Sequence, residues 1–185
     1  MIVLPRRLLR CLALFEHPNP ETHKNFKIIS KIHFLKNMVV VSDGVSLFAY
    51  MIEHEYNPFQ IEFSCLKKLA YAKYPKLEIG NGLALINGIN RMNITMGQEI
   101  RIDQLIPDAD SLSGVGANFQ RPLIDRMASV SFFLTRNQDY QIHHNGNKPA
   151  LCTFTDLSAI GVLCPFSHDT NEMEDQLNNS KRFRM

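Results

Sequence analysis

The sequence contains no long apolar run, which separates it from proteins that cross a membrane with helices. No segment approaches the ~20 consecutive apolar residues that a spanning helix needs. Arg6, Arg7 and Arg10 also interrupt the N-terminal segment before Glu16, so the apolar core of a secretory signal is missing. Because 45% of the 185 residues are hydrophobic, we expect a cytoplasmic protein that buries a core of its own.

Metal-binding and disulfide patterns are missing as well. The seven histidines show no metal-ligand spacing, and the adjacent His143 and His144 would point to opposite faces of a strand. No C-x-x-C pair occurs among the four cysteines, each of which lies in an apolar segment: Cys11, Cys65, Cys152 and Cys164. We therefore expect reduced, buried thiols and no metal or other cofactor.

Known catalytic motifs are absent too. The sequence has neither a G-x-S-x-G motif nor a P-loop, and no single element carries paired acidic residues at a catalytic spacing. A site assembled in space from His33, His54 or His143 with Asp43 or Asp139 stays open as an alternative. The sequence therefore favours a protein that is not an enzyme. A nuclease or hydrolase is kept as a third hypothesis, after two non-enzymatic ones.

Basic residues are concentrated at the N-terminal end. The whole chain has a net charge of +2, but residues 1–36 carry seven basic and two acidic groups. Residues 37–113 carry six basic and nine acidic groups. This distribution indicates one local face for a polyanion, and not a protein covered with positive charge.

Three segments have the apolar spacing of amphipathic helices, namely residues 4–15, 65–73 and 118–130. Leu4, Leu8, Cys11, Leu12 and Phe15 form the apolar stripe of the first. All three helices are predicted to direct basic residues away from the stripe, and these residues are Arg6, Arg7, Arg10, Lys67, Lys68 and Arg126. A solvated charged face is the simpler interpretation of each helix taken alone.

Short alternating segments between the helices predict antiparallel strands. They cover residues 26–34, 38–42, 45–52, 59–63, 77–79, 83–87, 92–96, 131–135, 140–144, 150–155 and 159–164. An Asp43-Gly44 turn joins two of them, and Asp43 is expected to accept hydrogen bonds from the backbone amides that follow it. The prediction is an α+β fold in which helices pack on one side of antiparallel sheets.

The order of elements repeats as one helix followed by a meander, at residues 4–56, 57–106 and 117–166. The segment around Pro107 and Gly114 is rich in turn formers and predicts a boundary. We expect a domain of two helix-plus-meander halves at residues 1–113 and one additional half at 114–166. Residues 167–185 lack periodicity and are predicted to be a flexible tail.

With this order of elements, the chain resembles the DNA sliding clamps of the bacterial polymerase III β-subunit type. The family's T-D-G-x-R-L signature is similar to Ser42 through Leu47, and its later proline segment is similar to residues 104–108. Its last half begins and ends with motifs that resemble residues 117–123 and 162–166. Ser46 replaces the signature arginine, and three halves are present where the family has six, as in a shortened, phage-like relative.

The resemblance implies two surfaces. Clamps line their DNA hole with helices, so Arg6, Arg7, Arg10, Lys67, Lys68 and Arg126 would contact the phosphates of double-stranded DNA without regard to sequence. The family's groove for short peptides of polymerases and other replication or repair proteins would consist of Ser42, Gly44, Leu47, Pro107, Leu163, Pro165 and Phe166. In particular, Leu47, Pro107 and Phe166 are expected to lie close together.

The leading hypothesis is thus a non-enzymatic DNA clamp, or processivity factor, for DNA replication. The second hypothesis is a protein-interaction or regulatory module that keeps the clamp-like fold but does not encircle DNA. If twelve halves complete the ring, four copies of the chain would form a homo-oligomer with the basic helices inside. A monomer or dimer with a solvated basic helix is the alternative.

Overall fold

The computed structural model shows an α+β fold. It describes residues 2–16, 30–43, 45–53, 57, 59–63, 66, 70–71, 77–80, 83–86, 90–96, 119–144 and 148–165. None of the helices in these ranges is long and apolar enough to cross a membrane. The α+β class that the sequence predicts is confirmed.

Two helices and eleven strands have described bounds. The helices are α1 (Arg6–Ala13) and α2 (Arg121–Thr135). The strands are β1 (Ile2–Leu4), β2 (Ser30–Leu35), β3 (Met38–Ser42), β4 (Ser46–Met51), β5 (Phe59–Phe63), β6 (Leu77–Gly80), β7 (Leu83–Ile86), β8 (Asn90–Met96), β9 (Tyr140–His143), β10 (Ala150–Phe154) and β11 (Ala159–Leu163). Leu66 and Ala70 are also helical, and both are buried.

The described strands form one antiparallel sheet in the order β1-β6-β7-β8-β5-β2-β3-β4-β11-β10-β9. The three meanders therefore occupy the sheet in the order second, first, third. The first and third meet where β4 pairs with β11, with Leu47 opposite Val162 and Ser46 opposite Leu163. Helices α1 and α2 also pack against each other above this junction.

Helix α1 begins later than the sequence predicts, because Leu4 belongs to a strand. Strand β1 pairs with β6, and Pro5 then precedes the helix with an extended backbone. Proline suits this place, since the first amide groups of a helix have no helical partner. The predicted apolar stripe is buried throughout, from Leu4 and Leu8 to Phe15.

Helix α2 continues five residues beyond the predicted end, so the predicted strand at 131–135 is wrong. Buried Val130, Ser131 and Leu134 extend the helical stripe that Leu123 and Met127 begin. Arg136 ends the helix in the left-handed conformation (φ 66°) and donates its amide to the Phe132 carbonyl. The Ser131 hydroxyl also donates to the Asp139 carbonyl at 2.7 Å, which ties the helix to the segment before β9.

The turns of the first and third meanders share one device. Asp43 precedes β4 and accepts a hydrogen bond from the Val45 amide at 3.1 Å. Asp156 precedes β11 and accepts one from the Ser158 amide at 3.0 Å. Both aspartates thus hold the amide two residues ahead, as expected for Asx turns.

The main core lies between the helices and one face of the sheet. It contains the buried residues of α1 and α2 together with Val39, Val41, Phe48, Cys152 and Leu163, among others. A smaller cluster on the opposite face consists of Leu35, Val40, Leu47, Ala49 and Val162, with Met38 at its margin. The two clusters lie on opposite faces because successive side chains along β3, β4 and β11 point to alternate sides of the sheet.

Candidate nucleic-acid and partner-binding sites

The Asp43 carboxylate is the centre of a polar cluster at the start of β4. One oxygen, Oδ1, accepts the Ser46 amide at 2.8 Å and the Ser46 hydroxyl at 3.0 Å. The other oxygen, Oδ2, accepts from Arg126 Nη1, which also donates to Ser46 Oγ at 2.6 Å. The Arg126 guanidinium lies over the Phe15 ring, 5.0 Å from its centroid.

This cluster changes the interpretation of Arg126. The sequence predicts that its side chain projects outward, but only 22% of the side chain is exposed, and that of Asp43 is 10% exposed. Burial favours the neutral carboxylic acid, yet the hydrogen bonds from Arg126 and Ser46 outweigh it and lower the pKa of Asp43. Arg126 therefore joins the first and third units and is unsuited to contacting phosphates.

The three arginines of α1 have different surroundings. Arg6 is exposed. Arg7 is exposed as well, and it donates to the Tyr50 hydroxyl at 3.3 Å, which in turn donates to Asp156 at 3.4 Å. Burial, followed by the charge of Asp156, raises the pKa of Tyr50, which therefore remains a neutral phenol.

Arg10 is half-buried, contrary to the expectation of a freely solvated side chain. Its guanidinium lies between two aromatic rings, 5.3 Å from the centroid of Tyr71 and 5.7 Å from that of Phe133. Its Nε donates to the Ala70 carbonyl at 3.5 Å. Arg6 and Arg7 are thus the α1 residues available to a polyanion. The predicted DNA contacts Lys67 and Lys68 lie outside the described residues.

The predicted partner groove is described only in part, because Gly44, Pro107 and Phe166 lie outside the described residues. Its remaining members, Ser42, Leu47, Leu163 and Pro165, come together at one end of the β3-β4-β11 junction. Ser42 pairs with Leu47, and Leu163 pairs with Ser46. The Cys164 amide then donates to the Val45 carbonyl at 2.9 Å.

The Leu163 side chain nevertheless lies on the opposite face of the sheet from that of Leu47. It is fully buried in the main core, whereas Leu47 lies in the smaller cluster on the other face. Val162 is the β11 residue that shares the face of Leu47, and alternation places Cys164 on the same side. Cys164 is exposed, which corrects the expectation of a buried thiol there. The exposed residues at this end of the junction are Ser42, Val45 and Cys164.

Solved structures with the same arrangement are bacterial sliding clamps. The DNA polymerase III β subunit of Thermotoga maritima matches with a TM-score of 0.53 and 12% identity, over 90% of this chain and 65% of that one. The C. crescentus β sliding clamp matches with a TM-score of 0.54 and 9% identity, over the same shares. The Bacillus subtilis sliding clamp gives 0.52 and 10%, over 90% and 64%. This chain has the sliding-clamp fold.

The likeness is one of fold. The chain spans about 65% of the length of the first clamp structures that it matches. No protein-family model and no curated protein sequence matches the chain. The comparison therefore shows the fold alone, because only 9–12% of the residues are identical in these matches.

Three of the residues proposed for the enzyme alternative, Asp43, Asp139 and His143, have separate environments, and His54 lies outside the described residues. Asp43 pairs with Arg126, and His143 Nε2 lies 3.0 Å from the Thr153 hydroxyl. Three strands separate the strand of His143 from the strand that ends beside Asp43. Asp139 accepts from the Asn137 amide group. Among the described residues, no three histidine, cysteine or acidic side chains are grouped closely enough to hold a metal ion.

Sequence reasoning missed Tyr50 and Val162. Tyr50 joins α1 to the β10–β11 turn, and its contacts depend on the pairing of β4 with β11, which a single sequence does not specify. Val162 could have been identified from the alternation along β11, had the buried face been known. The aromatic residues around Arg10 were also missed, because Arg10, Tyr71 and Phe133 belong to three different units.

Proposed function

We propose that this chain is a non-enzymatic, clamp-like protein that associates with double-stranded DNA independently of sequence and docks replication or repair partners through a short peptide. The observation that carries the proposal is the single helix layer on one face of a continuous antiparallel sheet, an arrangement shared with solved sliding clamps. Exposed Arg6 and Arg7 on this layer support the DNA-binding part.

The DNA-binding part predicts electrostatic and salt-sensitive association. Arg6→Ala should weaken the binding of a mixed-sequence duplex and reduce the slope of log K against log salt by about 0.9. Lys148→Ala is the matched control, because Lys148 is also exposed but lies between β9 and β10. Equal binding by wild type and both variants would remove α1 from the proposed DNA surface.

The partner-docking part concerns the surface formed by Val45, Leu47, Val162, Cys164 and Pro165. Backbone groups beside apolar side chains suit an extended peptide, which supplies its own hydrogen bonds and a few apolar anchors. A bound peptide carrying two apolar side chains should protect the exposed Cys164 thiol from alkylation. A Cys164→Ser variant identifies the labelled site, and unchanged alkylation at saturating peptide would contradict docking there.

Val45→Ser should weaken peptide binding, because the exposed fraction of Val45 is 48% and its loss leaves the core intact. Val3→Ser is the matched control, since Val3 is 45% exposed but belongs to β1 at an edge of the sheet, with six strands between it and β4. Both variants should retain the thermal midpoint of the wild type. A similar effect of the two substitutions would argue against a localised groove.

An interaction module that does not encircle DNA is the second candidate. It is favoured by the internal contacts of Arg10 and Arg126, which occupy two of the basic residues first assigned to phosphate. Such a module would bind the peptide but show no salt-dependent association with duplex DNA. The two measurements above therefore separate the candidates.

A further inference from the structure

A row of aromatic rings and guanidinium groups crosses the helix layer from the second unit to the third. Arg10 lies 5.3 Å from the Tyr71 ring centroid and 5.7 Å from that of Phe133. The rings of Phe133 and Phe132 are 6.1 Å apart, and Arg136 lies 6.0 Å from Phe132. We call these five residues the aromatic–arginine row.

The row combines positive charge with exposed rings. Tyr71 is 57% exposed and Phe132 is 39% exposed, so much of both aromatic side chains faces solvent. Arg136 is exposed as well. The row contains two guanidinium groups and no carboxylate, and the exposed Asp125 elsewhere on α2 pairs with Arg121 at 3.7 Å.

Internal packing accounts for only part of this arrangement. Arg10 and Phe133 are half-buried, and Arg10 joins the helical segment ending at Ala70 to α1 and α2. The hydrogen bond of Arg10 to the Ala70 carbonyl and its contact with Phe133 do not require exposed rings at positions 71 and 132. A face made only for phosphates would likewise have no need of them, because phosphates are contacted by cationic and hydrogen-bonding groups.

We propose that the aromatic–arginine row binds single-stranded DNA, with unpaired bases stacking on Tyr71 and Phe132 and phosphates contacting Arg136. Stacking is available to every base and therefore needs no sequence preference, and arginine beside aromatic rings is the usual composition of such surfaces. In a duplex the bases are already stacked on one another. The inference extends the proposed association with duplex DNA to the unpaired strand beside it.

The test compares two fluorescent probes, a 20-nucleotide oligo-dT and a 20-base-pair duplex, in titrations with the full chain. Tyr71→Ala and Phe132→Ala should each weaken oligo-dT binding about tenfold, since stacking on one ring contributes a factor of this order. Both should leave duplex binding unchanged. Leu157→Ala is the control, because Leu157 is 88% exposed in the turn before β11 and takes part in none of the ring and guanidinium contacts that define the row.

Tyr71→Phe keeps the ring and should retain oligo-dT binding, which separates stacking from loss of fold. Phe132→Ala provides an independent variant if the Tyr71 substitution lowers the thermal midpoint. Unchanged oligo-dT affinity in both alanine variants, or an equal loss on duplex and oligo-dT, would overturn the proposal. Ring-dependent binding of oligo-dT without any duplex affinity would support the row and contradict the proposed duplex association.

Discussion

At the scale of single residues, Asp43 and Arg126 are the most informative pair in the molecule. Arg126 is on helix α2 of the third unit, and Asp43 is in the turn that leads to β4 of the first unit. The carboxylate also accepts hydrogen bonds from the Val45 and Ser46 amides, so both of its oxygens have hydrogen-bond donors. The pair therefore fixes the turn next to the proposed peptide groove and the position of α2 together.

Arg126→Met should destabilise the fold by about 3 kcal/mol, because it leaves a largely buried carboxylate without its charged partner. Urea denaturation followed by circular dichroism measures the change in the free energy of unfolding. Arg121→Met is the matched control on the same helix. Its exposed pair with Asp125 should contribute less than about 0.5 kcal/mol, and equal losses in the two variants would contradict this account.

Acid should weaken the fold through Asp43. The folded protein holds the pKa of this carboxyl below its ordinary value, which is about 3.9 in an unfolded chain. Its contribution is therefore complete well above pH 4 and is lost as the pH falls through the folded-state pKa. Asp43→Asn should flatten the decline in unfolding free energy as the pH falls below about 4, and an unchanged decline would assign it to other groups.

At the scale of elements, the close approach of α2 to β11 depends on Gly161. A Cβ atom at this position would lie 2.8 Å from Met127 Sδ and 3.0 Å from Cys152 Cβ. Met127 and Cys152 are both fully buried, and burial raises the pKa of the Cys152 thiol to about 12. The helix therefore lies close to the strand backbone at this position, and an added Cβ would require Met127 or Cys152 to shift.

Gly161→Ala should destabilise the protein by about 1–3 kcal/mol through overpacking. Thermal denaturation of the single variant and of a Gly161→Ala, Met127→Ala double variant measures the effect. The second substitution should restore part of the loss caused by the first, since it removes the nearest atom. Additive losses in the double variant would show that the clash is with the Cys152 side of the site.

Local patterns predicted several elements well. Strands β3 and β5 begin and end as their alternating residues and flanking turns indicate. The end of α2 was missed because Ser131 to Thr135 has a strand-like composition, while burial of Leu134 and the bond from Ser131 to Asp139 favour the helix. The orientations of Arg126 and Leu163 were missed for a similar reason, since both depend on the pairing of β4 with β11.

At the scale of the whole molecule, the described sheet ends in β1 at one edge and β9 at the other. Exposed edge strands can pair with another chain, so we propose head-to-tail association of copies through these edges. The division into residues 1–113 and 114–166 stays a prediction. Sedimentation equilibrium at micromolar concentration measures the association, and a monomeric mass throughout would contradict it.

The most direct test of clamp-like function is sedimentation velocity of the full chain with a long mixed-sequence duplex at several salt concentrations. The account predicts co-sedimentation whose affinity falls steeply with salt, at a slope of about −0.9 per phosphate contacted. The Arg6→Ala, Arg7→Ala double variant should make that slope less steep by about 2 and keep the wild-type fold. Sedimentation unchanged by duplex at every salt concentration would contradict clamp-like association with DNA.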